Sequence, residues 1–383
     1  MIYLNNSSTT RIDKEVLDDF VWASEQYWAN PSDISADGVK AKTVIYHAQE
    51  QVANYIGAKP NEIIFTSGGS ESNNWAIKGY LDRYPDVRNI ITTKIEHPSV
   101  YNTCLYLAEK GYNVVYTPVT SSGEVNILRL SELLEKPGLS HPFVSIMMVN
   151  NEIGTINDIA AISKIVHSYG GVLHVDAVQA FGQIPINVRE MGIDLMSVSF
   201  HKFGGFKNCG FLYIKEGIEL IPLIHGGNQF DGQRAGTENV PMIFALGNQV
   251  ERMKHKGFPD RKMINYLFNE IYDTFLDFPF FYNGALSPES SSPNILSLTF
   301  REVNAEALIT LLDMKGIQVS AGSACCAGDK EPSRVLKVIG LSDEEAFSTI
   351  RVSIGKDTTR EECDEFVKVL GECLKSLQMV GGE

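Results

Sequence analysis

Short apolar runs alternate with amphipathic stretches between residues 62 and 214, and this alternation constrains the fold more than any other feature of the chain. Each run has the length of a β-strand, and the stretches between most of them show helical spacing. The pattern predicts seven strands, at residues 62–67, 90–93, 114–118, 143–149, 172–176, 194–199 and 210–214. Strands joined by helices favour a mostly parallel sheet with helices on both faces, which is an α/β fold.

The character of the sequence changes near Lys256. Two amphipathic helices are predicted ahead of the sheet, at residues 15–28 and 41–56. Beyond Lys256 the spacing predicts helices at 260–275, 305–315 and 361–377 and a strand at 295–300. We therefore predict a large domain at residues 13–256 and a smaller α+β domain formed by residues 1–12 and 257–383.

Composition excludes several classes of function. A net charge of -14 and a pI near 5.1 argue against nucleic acid or an anionic membrane as the main partner. An acidic surface suits a basic protein partner, but it serves solubility equally well. No apolar run approaches ~18 residues and the start lacks a signal peptide, so we expect a cytoplasmic protein. The six cysteines form no C-x-x-C pair, and we expect neither a disulfide scaffold nor a metal site.

Ligands of such sheets bind beyond the carboxyl ends of the strands, so the residues that follow each strand carry the functional predictions. Lys202 follows the strand DLMSVS and precedes a glycine pair. A lysine is costly to bury there unless it is paired or neutralised, and a desolvated lysine can form a Schiff base. The alternative is a lysine at a strand end that reaches solvent.

Two further strand ends suggest a cofactor. In TSGGSE (66–71), Gly69 and Ser70 precede a helix predicted at residues 71–84 and could bind phosphate, although Ser70 could equally be a simple N-cap. Asp176 ends the strand VLHVD, with Gln179 three residues later. A carboxylate there could keep a heterocyclic nitrogen protonated, or it could cap the next helix. One crossover separates Asp176 from Lys202, so both are expected at the same sheet edge.

Four other residues are candidates with open alternatives. His97 begins a helix after a strand, where a ring could lie over a planar cofactor or could simply cap the helix. Asn151 ends a very apolar strand or belongs to a polar turn. Arg351, within an apolar run, suits carboxylate recognition or a structural ion pair. Cys325 lies in the small-residue stretch SAGSACCAG, which favours an exposed nucleophile over a packed thiol only if the stretch is mobile.

Taken together, these residues resemble the cysteine desulfurases of the NifS/IscS-like group, within the fold-type I, class V aminotransferase family of pyridoxal-phosphate enzymes. The resemblance spans nearly the whole chain. Its motifs occur in the order TSGGSESNN, EHPSV, VNNEIGT, HVDAVQ, SFHK, RAGTEN, SAGSAC, EPSRVL and IRVSIG.

The resemblance implies a role for each candidate. Lys202 would hold pyridoxal phosphate and move the α-proton of the substrate, while Arg351 would bind the substrate carboxylate. Cys325 would attack the sulfur of the cysteine–cofactor adduct, giving a persulfide and alanine. The remaining roles concern the cofactor: Asp176 at the ring nitrogen, His97 over the ring, Gln179 and Asn151 near the ring oxygen, and Gly69, Ser70, Ser199, His201 and a second subunit's Thr237 around the phosphate. A homodimer and a protein that accepts the sulfur are also implied.

Several positions depart from the family pattern. They are Asn5 for aspartate, Ser35 for histidine, Phe230 and Asp231 for Glu-Arg, and Gly204, Phe206 and Asn208 for His, Pro and Gly. None removes a residue assigned to the chemistry, but they bear on substrate preference, rate and partner. Cys326 beside Cys325 is also unusual. We hypothesise that it accepts sulfur from Cys325 or forms a vicinal disulfide, which a Cys326→Ala variant would test.

Two alternatives to cysteine desulfuration stay open. The first is another reaction on the same scaffold, such as selenocysteine lysis, β-elimination or transamination. The second is a homologue that binds a partner and catalyses little. The presence of Lys202, Asp176, His97, Cys325 and Arg351 argues against the second.

Overall fold

The computed structural model describes residues 1–322 and 331–381. The strands are β1 (Ile2–Tyr3), β2 (Ile63–Thr66), β3 (Asn89–Thr92), β4 (Asn113–Tyr116), β5 (Phe143–Met147), β6 (Val172–Asp176), β7 (Leu195–Ser199), β8 (Gly210–Ile214), β9 (Phe280–Asn283), β10 (Ile295–Phe300), β11 (Ile317–Gln318), β12 (Ser320–Ala321) and β13 (Thr349–Ser353). The helices are α1 (Lys14–Gln26), α2 (Ala36–Ile56), α3 (Gly69–Arg83), α4 (Pro98–Glu109), α5 (Ile127–Leu134), α6 (Ile159–Ser168), α7 (Val240–Lys256), α8 (Lys262–Thr274), α9 (Ala305–Met314), α10 (Arg334–Val338), α11 (Asp343–Phe347) and α12 (Arg360–Gly381).

The central sheet has seven strands in the order β2-β8-β7-β6-β5-β3-β4. All seven predicted strands are present, and the predicted mostly parallel α/β architecture is confirmed. Strand β8 runs antiparallel to both of its neighbours, and the other pairs are parallel. The strands are buried almost throughout because helices cover both faces.

The register brings the predicted strand ends to one edge of this sheet. Asp176 pairs with Met147 on one side and with Ser197 on the other. Gly210 pairs with both Thr66 and Ser199. A Cβ added at Gly210 would lie 2.8 Å from the Cα of Gly68, so glycine permits the loop after β2 to approach closely.

Helix α7 is an element that the sequence reading missed. It packs against α1 and α2 and contributes Ile243, Leu246 and Val250 to the main hydrophobic core. Asn239 caps it by accepting a hydrogen bond from the backbone N–H of Met242, and a proline lies in its first turn. This start signal, followed by apolar residues at helical spacing, was available in the sequence.

Two predicted helices begin earlier in the structure. Helix α2 starts at Ala36 rather than Ala41, because the Ser35 hydroxyl accepts a hydrogen bond from Gly38 N. Helix α3 starts at Gly69 and is preceded by Gly68, so Ser70 lies in the first turn and is not the N-cap. Within the described residues, no helix combines the length and apolarity needed to cross a membrane.

A second hydrophobic core lies around the sheet β12-β13-β10-β9. It combines Leu4 with residues between 264 and 374, and β1 pairs in parallel with β11. The start of the chain therefore packs with its last third, while Thr10 N donates a hydrogen bond to His201 O across to the main core. The domain boundaries at residues 12/13 and 256/257 stay a prediction.

Candidate active site

The first turn of α3 forms a cradle suited to an anion. Gly68 has a φ of 127°, and a Cβ at Gly69 would lie only 2.6 Å from Cγ2 of Val178. Ser199 is buried across the cradle, with its hydroxyl 3.2 Å from a Cβ built on Gly68, whereas Ser70 is exposed at the helix start. The unpaired N–H groups and positive dipole end of a helix N-terminus attract phosphate. The structure thus brings Gly69, Ser70 and Ser199 together.

Asp176 is a buried carboxyl at the end of β6. Its Oδ2 accepts a hydrogen bond of 2.8 Å from Asn73 Nδ2, and its Oδ1 accepts one of 3.0 Å from Val178 N. Both donors hold the carboxylate in one orientation at the sheet edge. Asn73 on α3 is a partner that sequence reasoning missed.

His97 is held at the N-terminus of α4. Its Nδ1 accepts a hydrogen bond of 3.1 Å from Ser99 N and lies 2.8 Å from the Ser99 hydroxyl. Burial lowers the pKa of His97, nearby Asp176 opposes this shift, and the charges of Lys202 and Arg334 reinforce it. His97 therefore caps its helix. It also lies close enough to Asp176 and Lys202 for their charges to act on its imidazole.

Lys202 and Gln179 meet at a carbonyl of the N-terminal segment. Lys202 Nζ donates hydrogen bonds of 2.7 Å to the carbonyls of Ser7 and Ser8. Gln179 Nε2 donates a bond of 2.7 Å to the same Ser7 carbonyl. Backbone carbonyls carry no sequence signal, so this contribution of the N-terminal segment could not be predicted.

His201 lies beside Lys202 and is half-buried. Its Nδ1 lies 3.1 Å from Thr9 Oγ1. Burial, together with the charges of Lys202 and Lys207, lowers the pKa of His201 to about 4. The ring is therefore neutral at physiological pH and can offer one N–H as a donor.

Arg351 is fully buried in β13, a strand of the four-stranded sheet. Its Nη1 donates a hydrogen bond of 2.8 Å to Asn151 O, and its Nη2 donates one of 3.0 Å to Asn5 Oδ1. The structure thus joins Arg351 to Asn151, and it adds Asn5, one of the departures from the family pattern. Asn151 contributes its backbone oxygen to this contact.

Two buried glutamates beside the predicted residues were missed. Glu96, which precedes His97, accepts hydrogen bonds of 2.8 Å from Thr93 Oγ1 and 3.1 Å from Met147 N. Burial raises the pKa of Glu96 to about 8. Burial also raises the pKa of Glu152, whose Oε2 accepts a hydrogen bond of 2.5 Å from Ser333. Their positions within EHPSV and VNNEIGT, next to His97 and Asn151, were the available signal.

Three predicted residues are not placed in this cluster. Thr237 is exposed on the surface of the chain. Cys325 and its neighbour Cys326 lie outside the described residues. The four cysteines among those described, Cys104, Cys209, Cys363 and Cys373, are all free and buried.

The comparisons with known proteins identify the family of the chain. The sequence matches the family described as Aminotransferase class-V over residues 2–366. The chain belongs to this family. The cysteine desulfurase IscS of Dictyoglomus turgidum is 39% identical over 384 residues, covering 99% of this chain and 96% of that protein.

Two solved structures extend the agreement to the fold. A NifS-like protein is 35% identical with a TM-score of 0.88, covering 98% of this chain and 99% of that one. SspA in complex with cysteine is 34% identical with a TM-score of 0.80, covering 92% of this chain and 99% of that one. These are fold-type I enzymes, and the cofactor of this family is pyridoxal phosphate.

The described residues fit that cofactor. The first turn of α3 offers a cradle that a Cβ at Gly69 would fill, which suits the phosphate. The buried Asp176 carboxylate, held by two donors, suits a protonated ring nitrogen. An amine, that of Lys202, lies at the same sheet edge.

Proposed function

We propose that the protein is a pyridoxal-phosphate-dependent cysteine desulfurase, which moves the sulfur of L-cysteine to Cys325 and releases L-alanine. One observation carries the proposal: the cluster of Lys202, Asp176, His97 and Arg351 occurs in a chain that is similar over nearly its whole length to proteins named cysteine desulfurase. The structure of SspA with cysteine supports cysteine as the substrate.

Each residue of the site has a distinct task in this reaction. Pyridoxal phosphate, when bound, withdraws electrons from the α-carbon of the substrate. With the cofactor bound, Asp176 would stabilise positive charge at the ring nitrogen, and the His97 imidazole would lie against the ring. Lys202 Nζ would hold the cofactor and move the substrate's α-proton. Gly69, Ser70, Ser199 and His201 would bind the phosphate, and Gln179 and Asn151 would lie near the ring oxygen.

Arg351 selects a substrate with a free carboxylate. A buried guanidinium recognises a carboxylate through two parallel hydrogen bonds, and the low dielectric around it strengthens the attraction. Asn151 O and Asn5 Oδ1 hold two of its nitrogens and orient the group. The Cys325 thiolate then takes the sulfur as a persulfide, and alanine leaves.

We also infer a homodimer. Large apolar side chains are exposed along α1, α2 and the segment between them, namely Leu17, Val21, Trp22, Trp28, Ile34, Val39 and Tyr46. Ile34 is 97% exposed and Trp28 is 73% exposed, which is unusual for a monomer surface. The family resemblance implies that Thr237 of the second copy would reach the phosphate in such a dimer. A protein acceptor for the persulfide sulfur and a cytoplasmic location stay predictions.

The test is incubation of the purified, pyridoxal-phosphate-loaded protein with L-cysteine, measuring alanine and sulfide. Lys202→Ala should abolish both products. Cys325→Ser should abolish desulfuration, because the thiolate that takes the sulfur is gone. Surviving sulfide and pyruvate in Cys325→Ser would instead show simple elimination, and surviving amino transfer would show a transaminase. Either result would overturn the proposal, as would trace alanine release at full cofactor occupancy.

A further inference from the structure

Arg334 reaches from α10 onto the turn that precedes His97. Its Nη2 donates a hydrogen bond of 2.8 Å to Glu96 O, and its Nη1 donates to Lys94 O. The guanidinium carbon lies 3.7 Å from the centroid of the Tyr101 ring on α4. Three different parts of one turn and its helix therefore hold a single side chain from the last third of the chain.

The turn at residues 94–96 depends on donors from outside itself. Its three consecutive carbonyls all accept long-range hydrogen bonds: those of Lys94 and Glu96 from Arg334, and that of Ile95 from Asn150 Nδ2 at 3.0 Å. Ile95 and Glu96 are buried, and buried carbonyls that lose their donors are costly, so the turn has little freedom while its donors are present. His97 follows this turn directly, so the turn fixes the position of the His97 backbone.

The charge of Arg334 also acts on the imidazole. The charges that act on His97 are those of Asp176 at the end of β6, Lys202 after β7 and Arg334 on α10, and His201 is a further neighbour. The carboxyl of the preceding residue, Glu96, is buried against Thr93 and Met147. The charge of Asp176 favours the imidazolium form of His97, and the charges of Lys202 and Arg334 disfavour it. A stacked ring that stays neutral does not add a positive charge beside an electron-withdrawing cofactor.

We propose that Arg334 is a positioning residue for His97. The Arg334 guanidinium fixes the turn that presents the imidazole and places a positive charge near the His97 ring. The consequence for turnover depends on the proposed function, but the fixing of the turn and the charge effect do not. The Tyr101 ring offers its face to the guanidinium. An arginine held on an aromatic face keeps the N–H donors in its guanidinium plane available for the two carbonyls.

The experiment follows the titration of the His97 imidazole by NMR in protein labelled with ¹³C-histidine, with the resonance assigned by its loss in His97→Gln. Arg334→Gln should raise the pKa of His97, because a disfavouring cation is removed. Arg334→Lys keeps a cation but cannot donate as a planar fork to two carbonyls. The pKa of His97 in this variant should therefore lie between that of the parent and that of Arg334→Gln. The matched control is Lys337→Gln, which removes a cation from the same helix where it pairs with Asp343.

Activity of the loaded enzyme is the second readout. Displacement of a catalytic group by a fraction of an ångström to 1 Å costs on the order of tenfold to 100-fold in rate, so Arg334→Gln should lose roughly tenfold in kcat/KM. An unchanged His97 titration in folded Arg334→Gln would overturn the proposal, and so would an equal shift in Lys337→Gln. If Arg334→Gln does not fold, an Arg334→Lys titration identical to the parent's and an unchanged kcat/KM would do the same. A protein that desulfurates no cysteine would leave the NMR result intact, which separates the two failures.

Discussion

The site has two halves that are held in different ways. Asp176 and Lys202 lie at the ends of the neighbouring strands β6 and β7, and His97 follows β3, two strands beyond β6 in the same sheet, so strand register sets their spacing. Arg351 reaches the site from the second sheet and is oriented by Asn5, 346 residues away in sequence, and by Asn151. The first half is thus a property of the parallel sheet, whereas the second depends on how the two ends of the chain pack together.

This difference predicts separate consequences for catalysis and for binding. Changes in the sheet half should lower kcat, because these residues act on the reacting atoms. Changes in the second half should raise KM, because Arg351 and its partners bind the part of the substrate that does not react. The predictions below test that division.

The largest effect is expected for Asp176→Asn. The neutral amide cannot stabilise a positive charge on the ring nitrogen, so kcat for alanine release should fall roughly 10²–10³-fold. Asn73→Ala is the matched control, since it removes one hydrogen bond to Asp176 and leaves the charge. The measurement is kcat at saturating cysteine by steady-state kinetics, with cofactor content checked by absorbance. Equal losses in the two variants would show that the charge is not what matters.

Arg351→Met should act on KM. Loss of the buried guanidinium removes the carboxylate partner, so KM for L-cysteine should rise about 100-fold, which corresponds to ~2.7 kcal/mol, with a smaller change in kcat. Arg301→Met removes an exposed arginine that pairs with Glu345 and should change neither constant. Thermal unfolding of both variants checks that the second core survives. A folded Arg351→Met with the parent's KM would place carboxylate binding elsewhere.

Glu96 allows a test of electrostatics in the sheet half. Because burial raises the pKa of Glu96 to about 8, the folded state binds a proton that the unfolded state has already lost at neutral pH. Its contribution to stability is therefore complete at low pH and is lost as pH rises from near 4.5 to about 8. Glu96→Gln should remove this slope, which is at most about 1.4 kcal/mol per pH unit.

Denaturant unfolding between pH 5 and pH 9 measures that slope directly. Glu135→Gln, a change on the surface, should keep the parent's profile. A parallel profile for Glu96→Gln and the parent would mean that Glu96 is ionised in the folded protein.

Asn5→Asp should give the smallest effect, and it tests the half of the site that contains Arg351. It places a carboxylate where Asn5 Oδ1 now lies, 3.0 Å from Arg351 Nη2. The added charge competes with the substrate carboxylate for the guanidinium, so KM should rise about threefold to tenfold while kcat changes little. Asn5→Ala removes the acceptor without adding charge and should raise KM less. If Asn5→Asp lowered KM, orientation of Arg351 would outweigh charge competition.

The seven central strands were predictable because each is a short run rich in apolar residues, and all but the edge strand β4 are almost fully buried. The strand-end rule then located Lys202, Asp176 and His97 without any knowledge of contacts. Helix α7 was missed although Asn239 and Pro241 mark its start, because no strand followed it to complete the alternating pattern. Its packing against α1 and α2 is known from the structure alone.

The sequence by itself determined the positions of the seven central strands along the chain, the residues at the strand ends and the family pattern, because these depend on local periodicity and on motifs within a few residues. Tertiary structure decided which distant groups meet. Ser7 O joins Lys202 to Gln179, Asn5 orients Arg351, and Arg334 holds the turn before His97. These contacts join segments that lie hundreds of residues apart, and several use backbone carbonyls, which every residue carries. Hydrogen bonds of that kind follow from the packing of the whole chain and leave no pattern in the sequence.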